Sequence, residues 1–152
     1  MYEQLLTQLQ FEEGRRNEAY MCPAGHRTIG IGHNLDVLPE YHGSPIPDRL
    51  SDAEIDAIFT DDVYRAANTL TSTWKPFGRL SPARRDALVN MAFQMGAAGV
   101  LRFVQMLAFL ERGMWSEAAK AALNSEWAKQ TPERARRVAH QLQTGEYYAV
   151  PE

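Results

Sequence analysis

The chain has 152 residues, 45% of them hydrophobic and 23% charged, with a net charge of -3. This length and balance fit one globular domain or two small lobes that share a core, and they give no reason to expect a nucleic-acid-binding protein. The single cysteine excludes an internal disulfide, and no apolar run approaches the ~20 residues that a membrane-spanning helix needs.

The first predicted elements are a helix and a β-hairpin. Leucines at helical spacing predict a helix over residues 2–13, which ends before Gly14. Two β-segments, 16–22 and 27–33, are predicted to pair around the turn sequence PAGH. Alternation in the second segment predicts one face with Thr28 and two glycines, and another with two isoleucines. This hairpin is the only convincing β-structure that the pattern indicates.

The rest of the chain is predicted to be mostly helical. Residues 37–50 contain three prolines and a glycine and should be mostly loop, whereas a capping-box pattern, in which Glu54 can reach back to Ser51, opens a helix over 51–70. Further helices are predicted from Ser81 to near Gly96 and over Val100–Glu111, Ser116–Leu123 and Thr131–Gln143. The first and last of them begin with Ser-Pro and Thr-Pro, a capping hydroxyl before a proline. The fold class is therefore α+β, mostly helical, with a small hairpin lobe and a larger helical lobe.

Residues 12–36 hold the only cysteine, Cys22, together with three glutamates, a threonine and two histidines. The sequence GIGH lacks the further residues of a phosphate loop, one thiol without paired ligands is weak support for zinc, and no local signature of a thiol hydrolase surrounds Cys22. A glycoside hydrolase is the other alternative. Glu13, partly buried at a helix end, could serve as a general acid, with a second group and a hydroxyl to hold a water. Composition alone leaves these alternatives open.

The spacing of three residues resembles that of a known family. Glu13, eight residues, Cys22, five residues and Thr28 resemble the Glu-x8-Asp/Cys-x5-Thr pattern of bacteriophage lysozymes of the T-even type, the endolysins of glycoside hydrolase family 24. The similarity continues in TIGIGH, SDAEIDAIFTDDV, RRDALVNMAFQMGAAGV, MWSEAAKAALNSEWAKQTPERARRV and TGEYY. It covers about residues 3–148, and only segments 37–50 and 68–80 diverge.

The resemblance implies a single lysozyme-like catalytic domain of two lobes with a cleft between them. The small lobe would span about 13–58, a connecting helix about 59–70, and the helical lobe about 71–152 together with the N-terminal helix 2–12. The implied activity is hydrolysis of the β-1,4 bond between N-acetylmuramic acid and N-acetylglucosamine in peptidoglycan, without a metal or cofactor.

The resemblance also implies roles for individual residues. The implied catalytic residues are Glu13 as general acid, with Cys22 and Thr28 positioning or activating the attacking water. The implied substrate-binding residues are Phe93, Gln94 and Arg134, the last pairing with the catalytic glutamate. His33 and Asp62 fall on a structural His–Asp pair.

Cys22 departs from the best-known members of the family, which carry aspartate there. A free thiol has a pKa near ~8.5, so only a few per cent is thiolate at pH 7. A neutral thiol would orient water weakly in an inverting reaction. A thiolate could act as a base, or as a nucleophile in a retaining one. The inverting, water-positioning route is the expected one.

The resemblance implies a role in host cell lysis, with an antimicrobial effect. The N-terminus shows no signal peptide, so the protein is expected to accumulate in the host cytoplasm and to depend on a separate holin to reach the periplasm and cell wall. It is expected to be a monomer that binds bacterial peptidoglycan, without nucleic acid or stable membrane association. The alternative is a non-catalytic, lysozyme-like peptidoglycan-binding module.

Overall fold

The computed structural model describes residues 2–151. The chain divides into two compact units, Met1–Arg65 and Ala66–Glu152. The boundary falls inside the long helix α2 (Asp52–Thr73), so one helix belongs to both units. The predicted division into a small lobe, a connecting helix and a helical lobe that includes the N-terminal helix stays a prediction.

The first unit combines helices with a small antiparallel sheet. Its main sheet has the strand order β1-β2-β3, and the pairing of β1 with β2 contains a bulge between Arg16 and Tyr20. A second, two-stranded sheet pairs β4 with β5. The elements before α2 are α1 (Glu3–Glu13), β1 (Arg16–Met21), β2 (Arg27–Gly30), β3 (His33–Asn34), β4 (Glu40–Tyr41) and β5 (Ser44–Pro45).

The prediction of one continuous strand over 27–33 is wrong. The chain turns between Gly30 and Gly32, whose φ angles are +64° and +63°, and β3 then folds back on β2. Glycine adopts this left-handed conformation without the steric cost that other residues meet, so Gly30 can end β2 and Gly32 can lie in the turn beyond it, off the strand face of Thr28. Residues 37–50 are mostly loop, as predicted, but they also contain the short hairpin β4–β5, so the first hairpin is not the only β-structure of this unit.

The predicted start of α2 is confirmed in atomic detail. The backbone N–H of Ser51 donates to Glu54 Oε1 at 2.9 Å, and the N–H of Glu54 donates to Ser51 Oγ at 3.2 Å. This reciprocal pair satisfies two helix-terminal donors. Apolar side chains of α1, of the β2–β3 segment and of α2 are buried in this unit. The buried set includes Leu5, Leu9, Ile29, Ile31, Ile55, Ile58, Phe59 and Val63.

The second unit is built from helices. After α2 come a short 3₁₀ helix (Lys75–Arg79), α3 (Pro82–Leu101), α4 (Val104–Glu111), α5 (Trp115–Leu123), α6 (Glu126–Gln130) and α7 (Pro132–Thr144). Helix α3 is kinked at Gly96, where φ is +78°. The 3₁₀ helix and α6 were not predicted, and α4 begins four residues later than expected. Within residues 2–151 no single helix is long and apolar enough to cross a membrane; α3 and α4, bent by 92°, meet that test only as a pair, by length and composition. The predicted α+β, mostly helical class is confirmed.

Candidate active site

Glu13 is the last residue of α1, and its half-buried side chain lies against the β2–β3 turn. Gly14 ends the helix with φ +78°, and its N–H donates to Gln10 O at 2.8 Å. A Cβ atom built on Gly32 would lie 2.7 Å from Glu13 Oε2. The glycine of the turn therefore leaves the space that the carboxylate of Glu13 occupies.

Cys22 and Thr28 come together at the turn of the β1–β2 hairpin. The N–H of Cys22 donates to His26 O at 2.9 Å, and the Thr28 hydroxyl donates to the same carbonyl, also at 2.9 Å. Hydrogen bonding from the Thr28 side chain is also one of the effects that lower the pKa of the Cys22 thiol. The single hydroxyl proton of Thr28 can thus serve either the carbonyl or the sulfur.

The local environment makes the Cys22 thiol more acidic than a free cysteine. Partial desolvation raises its pKa, but hydrogen bonds from the backbone of His26, from the Thr28 side chain and from the turn backbone at residues 24 and 25 together lower it below the ordinary value. The thiolate fraction near neutral pH therefore exceeds that of a cysteine in water.

Tyr20 lies beside these residues, although it is not part of the sequence motif. It is the cross-strand partner of Thr28, so the two side chains share one face of the sheet. Burial raises the pKa of the Tyr20 hydroxyl, the negative charge of Glu13 raises it further, and Arg16 opposes this effect; Cys22 adds a smaller increase. The alternation of side chains along β1, which places Tyr20 two residues before Cys22, was the signal that could have found it.

His33 braces the β3 segment, as predicted. Its Nδ1 lies 2.7 Å from Asp62 Oδ2, and its Nε2 lies 2.8 Å from Leu38 O. Both ring nitrogens face acceptors, which suits the doubly protonated ring. Burial lowers the pKa of His33, but the hydrogen bond and the charge of Asp62 outweigh this effect, so the net shift is upward.

The other predicted site residues, Phe93, Gln94 and Arg134, belong to the second unit. Phe93 is half-buried and Gln94 is exposed. Trp127 Nε1 donates to Gln94 Oε1 at 2.8 Å, while Gln94 Nε2 donates to the Thr131 hydroxyl at 3.3 Å. Thr131 was expected to cap α7, yet its side chain makes no capping hydrogen bond and donates to Trp127 O at 3.1 Å. These contacts fix the orientation of the Gln94 amide.

Arg134 is buried, with 7% of its surface exposed, and it is held by Asn90. Arg134 Nε donates to Asn90 Oδ1, and Arg134 Nη2 donates to Asn90 O, both at 3.1 Å. The fully buried Asn90 in turn donates from Nδ2 to Tyr148 Oη at 3.0 Å. Neither Asn90 nor Tyr148 was expected from the sequence, and the pairing of Arg134 with Glu13 stays a prediction.

The family model described as Phage lysozyme matches residues 10–143, nearly the whole chain. The chain belongs to the phage lysozyme family. The structure of this lysozyme, mostly helical with a small antiparallel sheet, is consistent with the T4 lysozyme-like α+β fold. Family membership also makes the protein a glycoside hydrolase of muramidase-like function, with peptidoglycan as the substrate that the family implies.

Three relatives are similar to this lysozyme over most of its length. "Probable T4-type lysozyme 1" of Dictyostelium discoideum is 32% identical, over 95% of this chain and 96% of its own length. "Probable T4-type lysozyme 2" of the same organism is 34% identical, over 95% and 96%. The "Pre-baseplate central spike protein Gp5" of Enterobacteria phage T4 is 34% identical over 93% of this chain, but over only 28% of its own length.

Proposed function

We propose that this lysozyme hydrolyses the β-1,4 bond between N-acetylmuramic acid and N-acetylglucosamine in peptidoglycan. The observation that carries the proposal is the close packing of Glu13 against Gly32, in the same unit as Cys22 and Thr28, which both donate to the carbonyl of His26. A glycosidase needs a proton donor for the leaving oxygen and a second group that acts on water. The first unit supplies candidates for both.

In the proposed mechanism Glu13 gives its proton to the glycosidic oxygen as the bond to the anomeric carbon breaks. A water held by the Thr28 hydroxyl and Cys22 attacks that carbon. The inverting route expected from the sequence is kept, but here the thiolate form of Cys22, in place of a neutral thiol, takes the proton that the water loses. The lowered pKa of Cys22 supports this role, because it enlarges the thiolate fraction. Attack by water without a covalent intermediate gives inversion at the anomeric carbon.

We also propose that Phe93, Gln94 and Arg134 contact the saccharide. Gln94 has both an oriented amide and an exposed position, which suits hydrogen bonding to a sugar. Arg134 is held rigidly by Asn90, and a fixed guanidinium can orient a carboxylate or a sugar oxygen. Phe93 is only half-buried and offers an apolar surface.

The proposed biological role is lysis of a host cell by a monomer. The protein would collect in the host cytoplasm and reach the wall only when a separate holin opens the membrane. The family's description as phage lysozyme supports this role. Added to intact Gram-negative cells, the protein should leave the suspension turbid, and it should clear the same cells after permeabilisation. Clearing of intact cells would contradict the dependence on a holin.

Mass spectrometry of digested peptidoglycan tests the reaction. A muramidase releases fragments with reducing N-acetylmuramic acid ends. Fragments with reducing N-acetylglucosamine ends would place the cut at the other bond, and anhydromuramic ends would indicate a transglycosylase. Binding to peptidoglycan without any release would favour the non-catalytic module.

A further inference from the structure

A surface depression runs along strand β1 in the first unit. Its volume is about 430 Å³, within the range of sites that bind small ligands. Its lining includes Arg15, Arg16, Glu18, Tyr20 and Arg49. Tyr20 also shares the sheet face of Thr28, so the depression continues from the group of side chains to which the proposed reaction is assigned.

One of the three arginines in the depression has no anionic partner. The paired arginines are Arg15, hydrogen-bonded to Asp56, and Arg49, whose Nη2 lies 2.8 Å from Glu18 Oε1. Arg16 forms no ion pair with any residue in the described range 2–151. Its guanidinium carbon lies 4.5 Å from the centre of the Tyr20 ring. The charge of Arg16 is therefore held in place but not neutralised.

The contact with Tyr20 leaves Arg16 able to bind a ligand. A cation–π contact uses the positive charge and none of the guanidinium N–H groups as donors to oxygen. The planar N–H fork of arginine matches the two oxygens of a carboxylate. The bulge in β1 between Arg16 and Tyr20 lets two residues four positions apart meet on the strand.

We propose that Arg16, held over Tyr20, binds a carboxylate carried by the muramic acid part of the substrate. This inference rests on the proposed muramidase function. The sugar backbone of peptidoglycan is neutral, and its carboxylates lie on the peptide stem or, where the stem has been removed, on the lactyl group of muramic acid. Tyr20 connects Arg16 with the residues of the proposed reaction, because it lies across from Thr28 and beneath Arg16.

Steady-state cleavage of soluble peptidoglycan strands tests the proposal. Three substrates are compared: untreated strands, strands whose stem carboxylates have been converted to amides, and strands stripped of stems by an amidase. On untreated strands Arg16→Gln should raise KM about fivefold and leave kcat unchanged, the size expected for an exposed charge pair. Amidation should raise the wild-type KM by a similar factor and should abolish the difference between wild type and variant.

The third substrate identifies the source of the carboxylate. A KM effect of Arg16→Gln on stripped strands would show that the newly freed lactyl carboxylate also binds Arg16, and no effect there would limit binding to the stem carboxylates. Arg16→Lys keeps the charge without the fork and should give an intermediate KM. Arg79→Gln, an exposed arginine outside the depression, should leave KM unchanged.

Equal KM increases for Arg16→Gln on untreated and amidated strands would overturn the proposal, because the loss would not depend on a carboxylate. A wild-type KM that amidation does not change would overturn it too. A failure of the proposed muramidase function can be told apart from a failure of the Arg16 proposal, because wild-type protein would then release no reducing ends from any strand. In that case equilibrium binding of the same three strands to wild type and Arg16→Gln decides the question, with the same expected differences.

Discussion

Gly32 and the carboxylate of Glu13 are packed so closely that position 32 has no room for a side chain. A Cβ atom there would lie 2.7 Å from Oε2, 3.0 Å from Cγ and 3.1 Å from Cβ of Glu13. The φ angle of Gly32 is +63°, which also favours glycine. The β2–β3 turn therefore determines where the proposed general acid is held.

Gly32→Ala should reduce activity more than it reduces stability. Strain at positive φ should cost about 1–2 kcal/mol in the free energy of unfolding. The added methyl group must also displace Glu13, and a displacement of about 1 Å can cost roughly a hundredfold in rate. Gly43→Ala is the matched control, because Gly43 has φ +79° and nothing within 4 Å of the added atom. Equal activities of the two variants, measured when both are fully folded, would contradict this account.

Tyr148→Phe should disturb Arg134 through Asn90. The substitution removes the acceptor of Asn90 Nδ2, and an unsatisfied buried donor costs about 1–3 kcal/mol. The freed amide can rotate, and its NH₂ group then opposes the guanidinium of Arg134. We expect a several-fold loss in kcat/KM at a temperature where the variant is folded.

Tyr147→Phe provides the control for this prediction. Tyr147 is the neighbour of Tyr148, but its hydroxyl donates to Asp86 Oδ2 at 2.6 Å, whereas that of Tyr148 accepts from Asn90. Burial raises the pKa of both the Asp86 carboxyl and the Tyr147 hydroxyl. Tyr147→Phe should therefore lower Tm and leave kcat/KM unchanged. If Tyr148→Phe behaves in the same way, Tyr148 supports only stability.

The His33–Asp62 pair should stabilise the fold below neutral pH. The pKa of His33 is raised in the folded state, so the stabilisation is fully present below the unfolded pKa of about 6.5 and is lost as pH rises through the folded value. Asp62→Asn should lower the free energy of unfolding by about 2 kcal/mol at pH 5, with a smaller loss above the folded pKa. Denaturant unfolding across this pH range measures the difference.

Asp36→Asn is the control for Asp62→Asn, because it removes a His–Asp pair that is exposed. Asp36 lies 3.6 Å from His26, and both side chains are about half exposed. Exposed pairs contribute little, so this variant should change stability by less than about 1 kcal/mol at every pH. A pH-independent effect of Asp62→Asn would contradict the assigned role of His33.

Cys22 should react with iodoacetamide at a lower pH than a free thiol does. The pKa of Cys22 is lowered, and the chain has one cysteine, so the labelling rate reports this group alone. Thr28→Val removes one of the hydrogen bonds that lower the pKa and should shift the labelling profile to higher pH. If the thiolate is the base, Cys22→Ser should lose activity, Cys22→Asp should keep it, and alkylation should inactivate. Activity that survives both Cys22→Ser and alkylation would exclude that role.

Local patterns predicted the helices well, because caps and apolar spacing act over a few residues. Ser51 and Glu54 form the capping box, and Ser81 accepts from the N–H of Arg84 at 3.3 Å, as their sequences indicate. The β2–β3 turn was missed because alternating isoleucines and glycines also fit a strand. Thr131 was misjudged because its hydroxyl is used by Trp127 and Gln94, which a Thr-Pro pair does not reveal.

In the candidate site, too, local features could be predicted from the sequence and long-range contacts could not. The spacing of Glu13, Cys22 and Thr28 is short and could be matched to a family from sequence. The support of Arg134 comes from Asn90, 44 residues earlier, and Asn90 depends on Tyr148, 58 residues later. Such contacts follow from how α3, α7 and the C-terminal segment pack, and a single sequence carries no signal for them.

The role of Glu13 as general acid is tested most directly by Glu13→Gln, with reducing-end muropeptides counted by mass spectrometry. The variant keeps the size of the side chain but cannot donate a carboxylic acid proton. We predict an unchanged Tm and a rate of reducing-end release that is lower than that of wild type by a factor of about 10² to 10⁴. Release of the same muropeptides by folded Glu13→Gln at the wild-type rate would contradict the account.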